Sequence, residues 1–210
     1  MYLMYPGNNA YLMTALDPPG TTPTPEKMKY WRLKAGLSSL RTIIYVYSQK
    51  KFFQSWIMRR DPTNKYLTGT TPVLMTFMSM MGLTIVDVTN VEINEDGVLI
   101  KKSSVINKNT KGILISFKDS PKGPLKQLVY LSARITNERV TTATSLGKYY
   151  NNAARFKLIM KSTVYLLHMK EYQGVAQFIE KKSDMIIQDD SGLMLRHIAN
   201  EKWKIKLYGR

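Results

Sequence analysis

The chain contains no cysteine among its 210 residues. This absence excludes thiol nucleophiles, disulfide bonds, zinc–thiolate sites and iron–sulfur clusters. Long apolar runs are missing too, because the most apolar stretch, 72–81, is far shorter than the ~20 residues of a membrane-spanning helix. The first residues carry neither a charged region nor a long apolar run, so they are not predicted to be a signal peptide.

Motifs for common cofactors and nucleophiles are also absent. The sequence has no phosphate-binding glycine loop, no dinucleotide glycine fingerprint, no G-x-S-x-G turn and no kinase motif. Two histidines without a second pair give no zinc signature. We therefore predict no cofactor and no metal ion, and we favour a protein without catalytic activity.

Acidic residues are scarce relative to basic ones. The chain has 15 Asp and Glu against 31 Lys and Arg, a formal net charge of +16. Such a surface attracts polyanions such as nucleic acid, anionic lipid or acidic polysaccharide. The alternative is an ordinary solvated surface from a lysine-rich proteome. The basic residues occur in ones and twos, so no basic tail is predicted.

Aromatic and basic residues alternate in two segments, 30–34 and 50–60. Proteins grip single-stranded nucleic acid with aromatic stacking platforms beside cations. The alternative is a buried apolar stripe with a solvated cationic flank. The predicted polyanion-binding residues are those of the second segment: Lys50, Lys51, Trp56, Arg59 and Arg60.

The order of apolar segments and turn signals predicts one α+β domain over 1–210, beginning with a proline-rich segment, 1–25. We expect an antiparallel meander sheet, with a long helix in the C-terminal half and short helices packed on one face. Apolar, β-branched and aromatic segments predict strands at 10–13, 41–48, 83–94, 98–103, 112–119, 125–136, 184–189, 193–198 and 203–208.

Three helices are predicted from capping signals and apolar spacing. The first spans 25–35 and ends at Gly36, and the second spans 71–81 with Pro72 at its start and Gly82 just past its end. The third is the long helix 156–182, in which Gly174 marks a kink or break.

A compact polar motif follows the predicted strand 184–189. Asp189 and Asp190 could bind a divalent cation or divide into an acid and a base. The alternative is a plain turn, in which Asp and Ser191 bond their own backbone and Gly192 takes positive φ. Arg196 lies close behind in the chain and completes this candidate hydrolase set.

The predicted long helix supplies further candidates for chemistry. Lys161 and His168 are seven residues apart, which places them on one helix face about 10 Å apart. Ser162 would then need a lysine from another element to act as a nucleophile. The alternative is a boundary histidine on an amphipathic helix. His197 could join His168 and the two aspartates if this helix packs on the closing strands.

Four segments resemble, in order, an uncharacterised family of bacterial proteins, many of them exported. Residues 5–20 are similar to "N-A-D-x-Y … G-L-E-P-x-G", with departures at Asn9-Ala10-Tyr11 and at Asp17. Residues 71–82 are similar to "L-P-V-L … T-G", and residues 161–168 to "K-S-x-S-Y-L-M-H". Residues 188–209 resemble "Q-D-D-S-G-x-P-Y-R … W-x-x-x-L-Y-G", with Met194 where the family prefers proline.

The resemblance implies a bacterial protein of the periplasm or cell envelope, with a cytoplasmic location still open, and it implies no activity. Since family members continue past the last segment, it is compatible with a fragment of a longer chain. We expect a non-catalytic structural or interaction protein of an envelope or assembly, with a protein partner or a second copy as its partner. The alternatives are a module that binds nucleic acid or acidic glycan, and a hydrolase using Asp189, Asp190 and Arg196.

Overall fold

The computed structural model describes residues 6–20, 22, 28–50, 67, 69–102, 112–140, 143–161, 165–198 and 203–208. The side chains of Lys50 and His197 lie outside the described part. The fold is α+β, as predicted. The chain forms two compact units, unit 1 over 1–92 and 99–134 and unit 2 over 93–98 and 135–210, and each has its own core.

Unit 1 is built on a five-stranded sheet. Its strands are β1 (Ala10–Ala15), β2 (Thr84–Ile93), β3 (Leu99–Lys102), β4 (Gly112–Lys118) and β5 (Lys126–Ser132). The spatial order is β1-β5-β4-β2-β3. Pairing is antiparallel for β2 with β4 and for β4 with β5, but β1 runs parallel to β5. In a simple meander β4 would pair with β3, the strand before it in the sequence. Here β4 lies beside β2, so the sheet departs from the predicted meander.

The larger hydrophobic cluster of unit 1 lies on one face of this sheet. Alternate residues of a strand point to the same face, and Ile113, Ile115 and Phe117 of the central strand β4 are almost completely buried there. Tyr130 of β5 pairs with Ile113 and is also fully buried. Burial on this scale gives roughly 1.5–3 kcal/mol for each large apolar side chain, so β4 and β5 anchor the unit.

Two helices belong to unit 1, α1 (Tyr30–Lys50) and α2 (Thr70–Met80). Met78 of α2 joins the core on the sheet, and Val73 of α2 packs with Leu40 and Ile43 of α1. The second predicted helix is confirmed by α2. No helix among the described residues combines the length and apolar character needed to span a bilayer.

The N-terminus of α2 is held by a distant loop. The backbone N–H groups of Thr70 and Thr71 donate to the carbonyls of Pro18 and Pro19 at 3.1 and 2.8 Å. The hydroxyls of the same threonines donate to the same two carbonyls, at 3.2 and 2.6 Å. The first N–H groups of a helix lack partners inside it, so this loop supplies them from outside.

Two predictions about α1 are wrong. Residues 41–48 form helix instead of a strand, and Gly36 is buried inside the helix instead of ending it. Leu40 and Ile43 lie three residues apart on one helical face, and they bury that face against α2. This packing outweighs the strand preference of the segment and the roughly 1 kcal/mol that a glycine costs inside a helix.

Unit 2 contains α3 (Ser145–Asn152), β6 (Ile159–Lys161), α4 (Gln173–Lys182), β7 (Ile186–Gln188) and α5 (Leu195–Ile198). Short 3-10 helices lie at Asn137–Val140, Tyr165–His168 and Lys170–Tyr172. Strands β6 and β7 pair in parallel. The core gathers residues from most of these elements: Val140, Leu167, Tyr172, Val175, Leu193 and Ile198.

The predicted long helix over 156–182 is wrong, because the segment is divided between β6, two 3-10 helices and α4. Gly174 marks the start of α4 and not a kink. The Asn137 Oδ1 accepts hydrogen bonds from the N–H groups of Gly174 and Val175, at 2.7 and 3.3 Å. A cap supplied from this distance leaves no pattern in the local sequence.

Other strand predictions have mixed outcomes. Strands lie where they were predicted at 10–13, 83–94, 98–103, 112–119, 125–136 and 184–189, but the fifth of these ends four residues early, at Ser132, and residue 103 lies outside the described residues. The predicted strand 193–198 is wrong, because this segment contains the short helix α5. Residues 203–208, also predicted as a strand, form neither helix nor strand.

Candidate functional site

The turn that follows β7, Asp189–Gly192, is shaped by its own side chains. The Asp189 Oδ1 accepts hydrogen bonds from the backbone N–H of Ser191 at 3.0 Å and from its hydroxyl at 2.5 Å. The Gly192 N–H donates to the Asp189 carbonyl at 3.1 Å. Aspartate side chains commonly stabilise turns in this way, and the interpretation of 189–192 as a turn is confirmed in unit 2.

The turn needs a glycine at position 192 because a side chain there would not fit, and not because of the backbone conformation. It is not among the glycines with positive φ, which corrects that part of the prediction. A Cβ on Gly192 would lie 2.6 Å from the Cβ of Gln188. The Gln188 side chain passes this point to bond both backbone groups of Leu193, accepting at 2.7 Å and donating at 2.8 Å.

Lys161, at the end of β6, reaches the turn through Ser191. Its Nζ lies 3.4 Å from the Ser191 Oγ. The serine has one hydroxyl proton, which it donates to Asp189, so the lysine ammonium is the donor at the 3.4 Å contact. Burial lowers the pKa of Lys161, and the negative charge of Asp189 partly offsets this effect. The chain of donors links the lysine cation to the Asp189 carboxylate.

The first and last residues of a 3-10 helix, Tyr165 and His168, also contact the turn. The Tyr165 hydroxyl donates to the Asp190 Oδ2. The two aromatic rings meet edge to face with centroids 5.2 Å apart, and the His168 Nε2 lies 2.9 Å from the Gly192 carbonyl oxygen. The Asp190 hydrogen bond raises the pKa of Tyr165.

Four of the six predicted catalytic candidates converge on this turn: Lys161, His168, Asp189 and Asp190. Lys161 and His168 do so from a strand and a 3-10 helix, so their predicted placement on one long helix is wrong. Arg196 donates instead to the Met194 sulfur at 3.1 Å. Ser162 and the His197 side chain lie outside the described residues.

Sequence reasoning missed the contributions of Tyr165 and Gln188. Both lie in segments quoted for the family resemblance, so the nearness of those two segments in space was the available signal. The polar groups of this cluster hydrogen-bond mainly to one another. Ser191, for example, is 1 % exposed and donates its proton to Asp189. Among the described residues, no three metal-binding side chains are grouped as an ion site would require.

We expect Asp190→Asn to lower the pKa of the Tyr165 phenol, because the carboxylate that stabilises its protonated form becomes a neutral amide. The measurement is a titration of the tyrosine ring carbons by NMR. Asp184→Asn is the control, since Asp184 instead accepts a hydrogen bond from Arg155 at 2.8 Å. An unchanged Tyr165 pKa in Asp190→Asn would show that this hydrogen bond is not made in solution.

A second candidate site lies on α1, whose charged residues are all basic. The 21-residue helix contains no Asp or Glu. With 3.6 residues per turn, the buried residues Gly36, Leu40 and Ile43 share one side. The opposite side, which we call the outer face of α1, carries exposed aromatic, basic and aliphatic side chains: Tyr30, Trp31, Lys34, Leu37, Arg41 and Tyr45.

The Arg32 guanidinium lies beside this face, 4.9 Å from the centre of the Trp31 ring. This distance is typical of a cation–π contact. Arg32 falls in the first turn of α1, where the helix dipole disfavours a cation by roughly 0.3–1 kcal/mol, a cost of the same order as an exposed cation–π contact.

The residues predicted to bind polyanions are placed only in part. Lys50 belongs to the last turn of α1, and its side chain lies outside the described part of the molecule. Lys51, Trp56, Arg59 and Arg60 also lie outside the described residues. The described part of the aromatic and basic pattern is therefore its first segment, which begins at Tyr30.

Comparison of the chain with protein-family models, curated proteins and solved structures gives no match.

Proposed function

We propose that this protein is a non-catalytic interaction protein whose partner is a polyanion. The outer face of α1 carries this proposal, because its exposed cations Lys34 and Arg41 stand on a helix without a single acidic residue. A negatively charged chain meets attraction along the whole helix and repulsion from none of its side chains.

The distribution of charge between the units supports the proposal. Unit 1 has 18 Lys and Arg against 6 Asp and Glu, a net charge of +12, whereas unit 2 has 13 against 9, a net charge of +4. Two acidic residues of unit 1 are paired with lysines: Glu92 with Lys102, and Asp119 with Lys126 at 2.6 Å. These ion pairs leave the basic excess concentrated elsewhere in unit 1, including on α1.

The hydrolase alternative has less support. The predicted hydrolase set is Asp189, Asp190 and Arg196. Asp189 accepts hydrogen bonds from Ser191, Asp190 accepts one from the Tyr165 hydroxyl, and Arg196 donates to the Met194 sulfur. The predicted protein partner or homo-oligomer and the predicted envelope location stay predictions.

The test is binding of a polyanion as a function of salt. We expect the logarithm of the binding constant to fall linearly with the logarithm of salt concentration, because each neutralised phosphate releases condensed counterions. Fluorescence anisotropy of a labelled oligonucleotide and competition by heparin measure this slope. Absence of binding to any polyanion at about 50 mM salt, or affinity that does not change with salt, would overturn the proposal.

A matched pair of variants locates the binding surface. Lys34→Glu/Arg41→Glu reverses two exposed charges on α1 and is expected to reduce affinity by about tenfold or more. Folding should be retained, because both side chains are exposed and glutamate is a good helix former. Lys204→Glu/Lys206→Glu makes the same charge change on exposed residues of unit 2 and should have a smaller effect. Equal losses in both variants would contradict the assignment to α1.

A further inference from the structure

We propose that the outer face of α1 is a binding site for single-stranded nucleic acid, with Trp31, Tyr30 and Tyr45 as stacking platforms for its bases. This inference rests on the proposed polyanion function and names the ligand class and the residues that select it. The added observation is aromatic: these three rings are 60 %, 78 % and 63 % exposed on a folded helix.

Exposed aromatic rings are costly for a surface whose only task is to attract charge. Each ring could bury 150–250 Å² in a core, yet these rings stand among the cations of the outer face. Salt-dependent attraction needs only lysine and arginine, and a heparin-like glycan has no aromatic face to stack on a ring. Unpaired nucleotides offer both a phosphate for each cation and a base for each ring, and stacking accepts any base.

The spacing along α1 fits a short stretch of a single strand. Tyr30 and Tyr45 are 15 residues apart, a rise of about 22 Å, and Lys34 and Arg41 lie between them about 10 Å apart. A fully stacked strand rises about 3.4 Å per nucleotide and an unstacked strand rises more, so this length accommodates at most about six nucleotides. In this arrangement the phosphates contact Lys34 and Arg41, and the bases stack on the aromatic rings that lie toward the two ends of the helix.

Trp31 is prepared for stacking by its neighbour. The Arg32 guanidinium lies 4.9 Å from the ring centre, which places a cation against the indole while more than half of the side chain remains exposed. Arginine next to an aromatic platform adds a cation–π contribution to base binding and can also contact a phosphate. In a duplex the bases are already stacked and paired, so these platforms would have no free base to accept.

The experiment compares four ligands with the full chain: oligothymidylate of about 12 nucleotides, a duplex of equal length, heparin, and vesicles containing an anionic lipid. We expect the oligothymidylate to bind more tightly than the duplex and heparin at matched salt. Its affinity should rise with length up to about six nucleotides and then level off apart from a statistical gain. Tryptophan fluorescence should be quenched on binding, because a base stacks on Trp31.

Variants separate stacking from charge. Trp31→Ala is expected to weaken oligothymidylate binding by at least about fivefold with the salt slope unchanged, and Trp31→Phe should retain most of the affinity while losing the quenching. Heparin binding should be unaffected by both changes. Tyr208→Ala, which removes an exposed aromatic ring in unit 2, is the control.

The outcomes separate failure of this inference from failure of the proposed function. If no polyanion binds, both fail. If oligothymidylate, duplex and heparin bind equally and Trp31→Ala has no effect, polyanion binding stands and the single-strand site is wrong. If only the anionic vesicles bind, the outer face of α1 is a membrane surface and the single-strand site is wrong as well.

Discussion

Replacing Tyr130 with phenylalanine is expected to lower the free energy of unfolding of unit 1 by about 1–3 kcal/mol, although only one oxygen atom is lost. The Tyr130 hydroxyl donates to the Asp17 carbonyl at 2.6 Å and lies 3.2 Å from the Thr70 hydroxyl. It therefore connects strand β5, the loop before Gly20 and the first turn of α2. Phenylalanine would leave the Asp17 carbonyl without this donor and would remove the contact with the Thr70 hydroxyl. Tyr130→Ala also leaves a cavity and should cost about 3–5 kcal/mol.

The contribution of Tyr130 should depend on pH. Burial raises the pKa of Tyr130 to about 12 from an ordinary value of 10. Between these values the unfolded chain releases the phenol proton and the folded chain retains it, so stability is lost as pH rises from about 10 towards 12. A shift of this size corresponds to up to about 2.7 kcal/mol. The stability difference between the native chain and Tyr130→Phe should therefore shrink above pH 10.

Native-state hydrogen exchange of the β4 amides measures this stability within unit 1. Tyr30→Phe is the matched control, since the Tyr30 ring is exposed and its loss of a hydroxyl should change stability by less than about 0.5 kcal/mol. A Tyr130→Phe variant as stable as the native chain, with the same pH profile, would show that this hydroxyl does not join the three elements.

The parts of the fold predicted from sequence are those that local residues determine. Strand β4 is a mostly apolar segment rich in isoleucine and leucine, and the helix α2 lies between a proline in its first turn and Gly82 just past its end. The wrong predictions concern segments whose structure depends on distant partners. Helix α1 includes β-branched residues that favour strands, and α4 begins where Asn137 caps it from 37 residues away.

The candidate turn shows the same division. Asp189 and Ser191 shape the turn through hydrogen bonds to near neighbours, and turns of this kind can be predicted from residue types that are adjacent in the sequence. Lys161 is brought to the turn by the parallel pairing of β6 with β7. Tyr165 is brought there by a 3-10 helix, in a segment whose apolar spacing predicted one long α-helix instead. Residue types were therefore predictable, whereas the direction of each hydrogen bond was not.

The two glycines that flank α2 should respond very differently to alanine. Gly69 precedes the helix with φ 83° and ψ −165°, a conformation that is essentially restricted to glycine. A Cβ there would lie 2.5 Å from the Gly20 nitrogen and 2.7 Å from the Pro19 carbonyl carbon, both of them backbone atoms. Gly82 follows the helix with φ 75°, and a Cβ there would meet nothing within 4 Å.

We therefore expect Gly82→Ala to cost about 1 kcal/mol of stability, from backbone strain alone. Gly69→Ala should cost at least about 3 kcal/mol, because strain is joined by a clash with the loop whose Pro18 and Pro19 carbonyls bind the first N–H groups of α2. Exchange rates of the α2 amides measure both changes. Equal effects of the two substitutions would mean that Gly20 does not pack against Gly69, and that the loop does not hold the start of this helix.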